Sequence, residues 1–81
     1  MKAFQPVVIR SEFNETLSGT IDGSNKVFTT TKKFVLGSTR VYLNGLKNRL
    51  NTDYVESDEN EITMDEAPRT GDSLCIDYVI K

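Results

Sequence analysis

Hydrophobic and polar residues alternate over short stretches from residue 19 onward, and no stretch of useful length has a helical period. In the clearest stretch, at the C-terminal end, one face would carry Leu74, Ile76, Tyr78 and Ile80. Alternation with a period of two indicates a strand with one buried face. Turn residues separate the stretches at intervals of roughly 8–12 residues, which is typical of a sandwich or small barrel. The sequence therefore predicts an all-β fold, a small antiparallel β-sandwich (Ig-like or barrel-like) with about six or seven short strands.

A two-residue hairpin turn is predicted at the Asn-Gly pair of positions 44–45. Both central residues of a type I′ turn need a positive φ, and Asn followed by Gly adopts this conformation readily. The turn would place Leu43 opposite Leu46, and a longer hairpin would bring Arg40 opposite Arg49. Like charges directly opposite each other destabilise a strand pair. We therefore expect a short hairpin that separates before the two arginines meet.

A second hairpin is predicted from residues 53–56 and 61–64, which flank the polar loop 57–60. Both runs are rich in residues that favour strands, and the loop consists of Ser, Asp, Glu and Asn. The inward-facing positions of the predicted strands define the core. We expect it to contain Val41, Leu43, Ile62, Met64, Leu74, Ile76 and Tyr78.

The N-terminal part of the chain contains one short apolar run, Val-Val-Ile at positions 7–9, which follows Pro6. A run that is apolar on both faces needs cover on both faces. Two interpretations stay open: a first strand of the sandwich, or an arm that adds to a neighbouring subunit's sheet. We assign residues 1–18 to an extended N-terminal arm and residues 19–81 to the β-sandwich domain. The predicted interface consists of the apolar side chains of the arm, Phe4, Val7, Val8 and Ile9.

The composition argues against catalysis and against metal binding. The chain has no histidine and a single cysteine, Cys75, whereas zinc sites use mainly Cys and His, and general acid–base chemistry most often uses His. A single cysteine permits no disulfide within the chain, and its apolar neighbours favour a small buried side chain. No phosphate-binding or nucleophile motif is present. We predict no enzyme activity, no catalytic residue, no metal site and no cofactor.

The sequence contains no indication of a membrane segment. No apolar run approaches the roughly 18 residues that a membrane span needs. The first six residues also lack the apolar stretch and cleavage site of a signal peptide. We therefore expect a chain that is made in a cytoplasm and has no membrane partner.

The charges are distributed unevenly, although the net charge is only −2. Residues 1–50 carry eight basic and three acidic side chains, whereas residues 51–81 carry two basic and nine acidic ones. Basic residues interleaved with aromatic ones occur in small barrels that bind single-stranded nucleic acid. The pI of about 5.0 argues against that function here. We expect Phe28 and Phe34 to be core residues, and we expect no nucleic-acid partner.

A distinctive series of turn motifs extends along residues 19–80. It comprises Asp-Gly-Ser-Asn-Lys-Val-Phe-Thr at 22–29, Gly-Ser-Thr-Arg-Val-Tyr-Leu-Asn-Gly at 37–45, Asp-Tyr at 53–54, Ile-Thr at 62–63, Ala-Pro at 67–68, Gly-Asp at 71–72 and Ile-Asp-Tyr at 76–78. In order and spacing this series resembles a small β-sandwich domain of virion structural proteins in tailed bacteriophages. Such domains belong to tail-fibre, baseplate and head-decoration components.

The resemblance implies a structural role in a virion and supplies no catalytic residues. It implies a capsid decoration, tail or fibre-attachment component, made in the host cytoplasm and incorporated into the particle. Other virion structural proteins and further copies of the chain would be its partners. A second function stays open from the residues alone, a carbohydrate-binding module for host recognition. In that case exposed aromatic side chains such as Tyr42 and Tyr54 would stack on sugars.

Overall fold

The computed structural model describes residues 9–81, which form two antiparallel sheets with the core between them. The strands are β1 (Ser11–Thr16), β2 (Val27–Thr29), β3 (Arg40–Leu43), β4 (Leu46–Lys47), β5 (Tyr54–Asp58), β6 (Glu61–Met64) and β7 (Leu74–Val79). One sheet has the order β1-β7-β3-β4 and the other β2-β6-β5. Residues 9–81 contain no helix long and apolar enough to cross a bilayer. The predicted all-β antiparallel sandwich is confirmed.

The large hydrophobic side chains that are buried within residues 9–81 form a single cluster between the sheets. Its members are Leu17, Phe28, Phe34, Val41, Tyr54, Ile62, Met64, Leu74, Ile76 and Tyr78. Six of the seven predicted core residues belong to it, and Leu43 is half-buried against it. Along β7, buried and half-buried positions alternate without interruption. The period of two in the sequence therefore predicted the inner face correctly.

Two members of this cluster, Leu17 and Tyr54, were not predicted as core residues. Leu17 lies just beyond the end of β1, where its N–H donates to the carbonyl of Leu74 at 3.2 Å. The Tyr54 hydroxyl donates to the carbonyl of Thr39 at 2.9 Å and lies 3.1 Å from its Oγ1. A buried tyrosine needs such a partner for its polar end. Burial is also the main reason why the pKa of Tyr54 is raised.

The predicted hairpin at positions 44–45 is confirmed in turn and register. Asn44 has φ 52° and Gly45 has φ 81°, as a type I′ turn requires. Leu43 lies opposite Leu46, and the short strand β4 ends at Lys47. The two arginines that would repel each other are therefore never paired, because β3 continues along β7 instead of β4.

The second hairpin has a shorter loop than the sequence predicts. β5 continues to Asp58, so that only Glu59 and Asn60 connect it to β6. A bulge accommodates the additional residues, because Glu56 pairs with Ile62 while Asp58 pairs with Glu61. Polar residues alone did not mark the end of β5, since an edge strand tolerates polar side chains.

The boundary between arm and domain differs from the one that the sequence suggested. The structure places residues 11–18 of the assigned arm 1–18 in the sandwich, since β1 pairs with β7 and Leu17 is buried. β1 lacks a strong apolar alternation, and backbone pairing with β7 holds it in the sheet. The N–H of Ile80 donates to the carbonyl of Arg10 at 2.7 Å, so the pairing extends to Arg10.

A close backbone contact joins the two sheets where β1 leads toward β2. Ser18 and Thr29 exchange two backbone hydrogen bonds of 2.9 Å. The next residue, Gly19, has φ 151°, and a Cβ there would lie 2.6 Å from the Phe28 ring. Only glycine lets the chain pass this close to a core aromatic ring. The connection fixes the end of β1 against the second sheet.

Candidate interaction surface

One of the four predicted interface residues lies beside the start of β1 in the four-stranded sheet. Phe4, Val7 and Val8 lie outside the described residues. Ile9 is described, and its side chain is 73% exposed immediately before β1 begins. An exposed isoleucine alone is ordinary on a protein surface. Its significance depends on its neighbours.

A second large apolar side chain, that of Phe13, lies beside a bulge in β1. Glu12 pairs with Tyr78 and Glu15 with Ile76, so two residues of β1 occupy the space of one on β7. Asn14 adopts φ 56° within this bulge. Glu12 lies opposite the buried Tyr78, so strand alternation turns the next side chain, that of Phe13, to the outer face, where it is 67% exposed.

The carboxylate of Asp77 on β7 stabilises the bulge. It accepts a hydrogen bond of 2.8 Å from the N–H of Asn14, a group that the bulge leaves without a backbone partner on β7. Asn tolerates the left-handed conformation better than most residues. The sequence signal for this feature was an Asn directly after an aromatic residue in a polar strand. That signal is too weak to predict a bulge without the structure.

Two further exposed apolar side chains belong to the same end of the sheet, Val35 and Leu36. The N–H of Val35 donates to the carbonyl of Val79 at 2.9 Å, while the backbone of residue 10 is bonded to the other side of β7 at Ile80. Adjacent strands lie about 4.8 Å apart, so the two flanking segments are about 10 Å apart. We call the exposed apolar residues of this end the N-terminal patch, which consists of Ile9, Phe13, Val35 and Leu36.

A groove of about 350 Å³ lies within this end of the sheet. Phe13 lines it on the β1 side, Gly37 and Ser38 line it on the other, and Val79 lies between them. A Cβ at Gly37 would meet no atom within 4 Å, so this side of the groove is open. The lining of the groove beside Phe13 also includes Ser11, Thr39, Arg40 and Asp77, so most of its side chains are polar.

The free edge of β1 is poorly suited to accept another strand. Among residues 9–81, β1 pairs with β7 alone, and its outer edge has no strand partner. The bulge interrupts the edge, and Glu12 and Glu15 add charge to it. Bulges and charged side chains are the usual means by which proteins prevent pairing at an exposed edge. Contacts at this end therefore depend on the side chains of the N-terminal patch.

Glu15 anchors β1 against the chain between β2 and β3. Its carboxylate accepts hydrogen bonds from the Thr31 N–H at 3.0 Å, the Thr31 hydroxyl at 2.8 Å and the Tyr78 hydroxyl at 2.7 Å. Burial raises the pKa of Glu15, but these hydrogen bonds outweigh it and leave the pKa below its usual value. Burial, and then the contact with Glu15, raise the pKa of Tyr78. An ion pair between Lys32 and Glu12 lies at the same edge.

The structure contradicts one residue of the proposed sugar-stacking pair. Tyr54 is 1% exposed and cannot stack on a ligand. Tyr42 is half-buried and lines a shallow groove with Asn14 and Cys75. Cys75 is itself half-buried on this outer face and not in the core as the sequence suggested, because it alternates with the buried residues of β7. Sugar binding would therefore depend on one tyrosine.

The aromatic residues Phe28 and Phe34, which suggested nucleic-acid binding, do not reach the surface. Phe28 and Phe34 are fully buried, as predicted, so neither offers a ring for base stacking. Lys32 is paired with Glu12. Glu59 is paired with both Lys33 and Lys81, and the hydrogen bond from Lys81 is the main cause of its lowered pKa.

Comparisons with protein-family models, with curated proteins and with solved structures found no match for this chain. The interpretation of its surfaces therefore rests on their geometry and on the sequence.

Proposed function

We propose that this protein is a non-enzymatic structural component of a tailed-phage virion, which assembles with other virion proteins and with copies of itself. Its position would be that of a capsid decoration, a tail component or a fibre-attachment component. The observation that carries the proposal is the N-terminal patch, in which Ile9 and Phe13 are each about two-thirds exposed or more. The assignment to a phage particle is supported by the resemblance of the turn motifs.

The patch suits assembly because it is apolar and continues into an apolar stretch of sequence. Burying one large apolar side chain contributes roughly 1.5–3 kcal/mol, so two of them give a weak contact on their own. Repetition on a lattice strengthens such a contact, because each added link makes the next one effectively intramolecular. Phe4, Val7 and Val8, which precede Ile9 in the sequence, would add to the same contact. Weak individual contacts made in many copies are typical of a symmetric particle.

The arm hypothesis can be tested by truncation, provided that the sandwich is left intact. A deletion of residues 1–18 would remove β1 and the buried Leu17, and would unfold the domain. Deletion of residues 1–8 keeps every described strand. We expect the shortened protein to fold with an unchanged melting temperature and to be lost from purified particles. Normal incorporation of this variant would contradict the role of the arm.

The patch itself is tested by the double substitution Ile9→Ser/Phe13→Ser in the full chain. A matched control is Val27→Ser/Val55→Ser, which removes half-exposed apolar side chains from the outer face of the other sheet. The amount of protein in purified particles, measured against the major capsid protein, should fall at least tenfold for the first variant and stay unchanged for the control. Equal incorporation of both variants would overturn the proposed function.

A further inference from the structure

The edge of the sandwich opposite to β1 carries charges of both signs in two adjacent grooves. One groove, of about 300 Å³, is lined by the basic side chains of Arg40, Lys47 and Arg49. The other, of about 200 Å³, is lined by the acidic side chains of Asp53, Asp65 and Glu66. We call them the basic groove and the acidic groove.

The two grooves share one lining residue, Asn48, which forms two hydrogen bonds with its own sheet. The Asn48 N–H donates to the carbonyl of Val41 at 2.7 Å, and its Nδ2 donates to the carbonyl of Leu46 at 3.1 Å. In the loop that follows Asn48, residues 49 and 53 are joined by hydrogen bonds. The Arg49 N–H donates to the Asp53 carboxylate at 2.7 Å, and the Asp53 N–H donates to the Arg49 carbonyl at 2.8 Å. These hydrogen bonds order the backbone between the two grooves.

Most of these charges are not neutralised within the protein. Over residues 9–81, the side chains of Lys47, Asp65 and Glu66 form no ion pair. The single link between the grooves is an Arg49–Asp53 pair of 3.5 Å. Isolated surface charges are ordinary, because water solvates them. Opposite charges in neighbouring grooves form a surface that complements a rotated copy of itself.

We propose that two copies of this chain associate about a two-fold axis at this edge, with the basic groove of each copy against the acidic groove of the other. A two-fold contact uses the same patch on both subunits, so one surface with both signs satisfies both halves. Leu46, which is 73% exposed beside Asn48, supplies an apolar contact at the same edge. The choice of a second copy as the partner rests on the proposed assembly role. The contact itself involves none of the residues of the N-terminal patch.

A second copy fits this edge better than a polyanion such as a nucleic acid. A polyanion in the basic groove would lie next to Asp53, Asp65 and Glu66, and like charges placed together oppose binding. The chain as a whole is also acidic, with a pI of about 5.0. A second copy presents a basic groove to these same carboxylates, so its approach is attractive at both grooves.

The test reverses the charge of one groove at a time in the full chain. One variant is Lys47→Glu/Arg49→Glu, and the other is Asp65→Lys/Glu66→Lys. At about 0.01 M salt, where charges act over roughly 30 Å, the wild type should approach twice the chain mass of 9.1 kDa in sedimentation. Each variant alone should sediment as a single chain. An equimolar mixture of the two variants should recover the dimer, because each reversed groove then faces a groove of the opposite charge.

The control Arg10→Glu/Lys33→Glu makes the same change in net charge far from this edge and should leave the dimer intact. Deletion of residues 1–8 should also leave it intact, so that failure of the arm hypothesis and failure of this one are distinguishable. A single-chain mass for the wild type at low salt would overturn the inference. The inference would also be overturned if either variant formed a dimer by itself. The same holds if the basic-groove variant keeps its dimer and loses binding to a heparin column.

Discussion

The contact between Glu15 and Tyr78 joins β1 to the core strand β7. Tyr78 is buried, so removal of the Glu15 carboxylate leaves its hydroxyl without the acceptor at 2.7 Å. The same change releases both donors of Thr31, which can turn to water. A hydrogen bond to a charged group contributes about 1.5–3 kcal/mol net, and the partial exposure of this edge favours the lower end. We expect Glu15→Ala to cost about 2 kcal/mol and Tyr78→Phe about 1 kcal/mol.

The assay is a double-mutant cycle in urea, followed by circular dichroism. The double variant Glu15→Ala/Tyr78→Phe should lose about 1 kcal/mol less than the sum of the single changes, because the shared hydrogen bond is counted once. Glu15→Ala alone should lower the melting temperature by roughly 8–16 °C for a domain of this size. Glu12→Ala is the matched control, since it removes a neighbouring acidic side chain whose ion pair with Lys32 is exposed and should cost at most about 1 kcal/mol.

The pH dependence of the folding stability tests the same contact a second time. Because the pKa of Glu15 is lowered in the folded protein, its contribution is present above the unfolded pKa and is lost as pH falls through the folded one. Wild type and Glu15→Gln should therefore converge in stability toward pH 3. Additive single changes, with a coupling below about 0.3 kcal/mol, would refute the reasoning, as would a difference between the two proteins that is independent of pH.

Gly19→Ala should destabilise the fold by about 2 kcal/mol or more in urea, because its Cβ would enter the Phe28 ring, whereas Gly23→Ala, which adds a Cβ in open space, should cost only about 1–2 kcal/mol of backbone strain. Stability should fall as the pH drops below about 4.5, because the folded protein lowers the pKa of four carboxyl groups, those of Glu15, Asp22, Glu59 and Asp72; a melting temperature that is constant from pH 6 to pH 3 would contradict this. A glycan array with the full chain should show no binding, since only Tyr42 of the two proposed tyrosines reaches the surface; specific binding would favour the host-recognition alternative.

The strands that were predicted best are those whose own residues determine their faces. The hairpin at positions 44–45 follows from the positive φ that Asn and Gly accept, and β7 follows from its strict alternation. β1 was missed as part of the sandwich, because its side chains are mostly polar and its place depends on pairing with β7 at the other end of the chain. Such pairing between distant segments leaves no local signal in the sequence.

The candidate surface shows the same limit. Ile9 was selected from its apolar sequence, but the outward position of Phe13 depends on how β1 pairs with β7. The grouping of Val35 with these residues depends on its backbone bond to β7. The burial of Tyr54 depends likewise on Thr39, which offers a partner for the hydroxyl inside the protein. In each case a tertiary contact decides whether an apolar residue is exposed, and the sequence alone does not contain that contact.

The most direct test of the assembly account is a photo-crosslinking measurement on intact particles. A benzophenone amino acid replaces Phe13 in one protein and Val55, on the outer face of the other sheet, in a second. The account predicts a crosslink from position 13 to another virion protein or to a second copy, and none from position 55. Particles that contain the protein but give no crosslink at position 13 would contradict the role of the N-terminal patch.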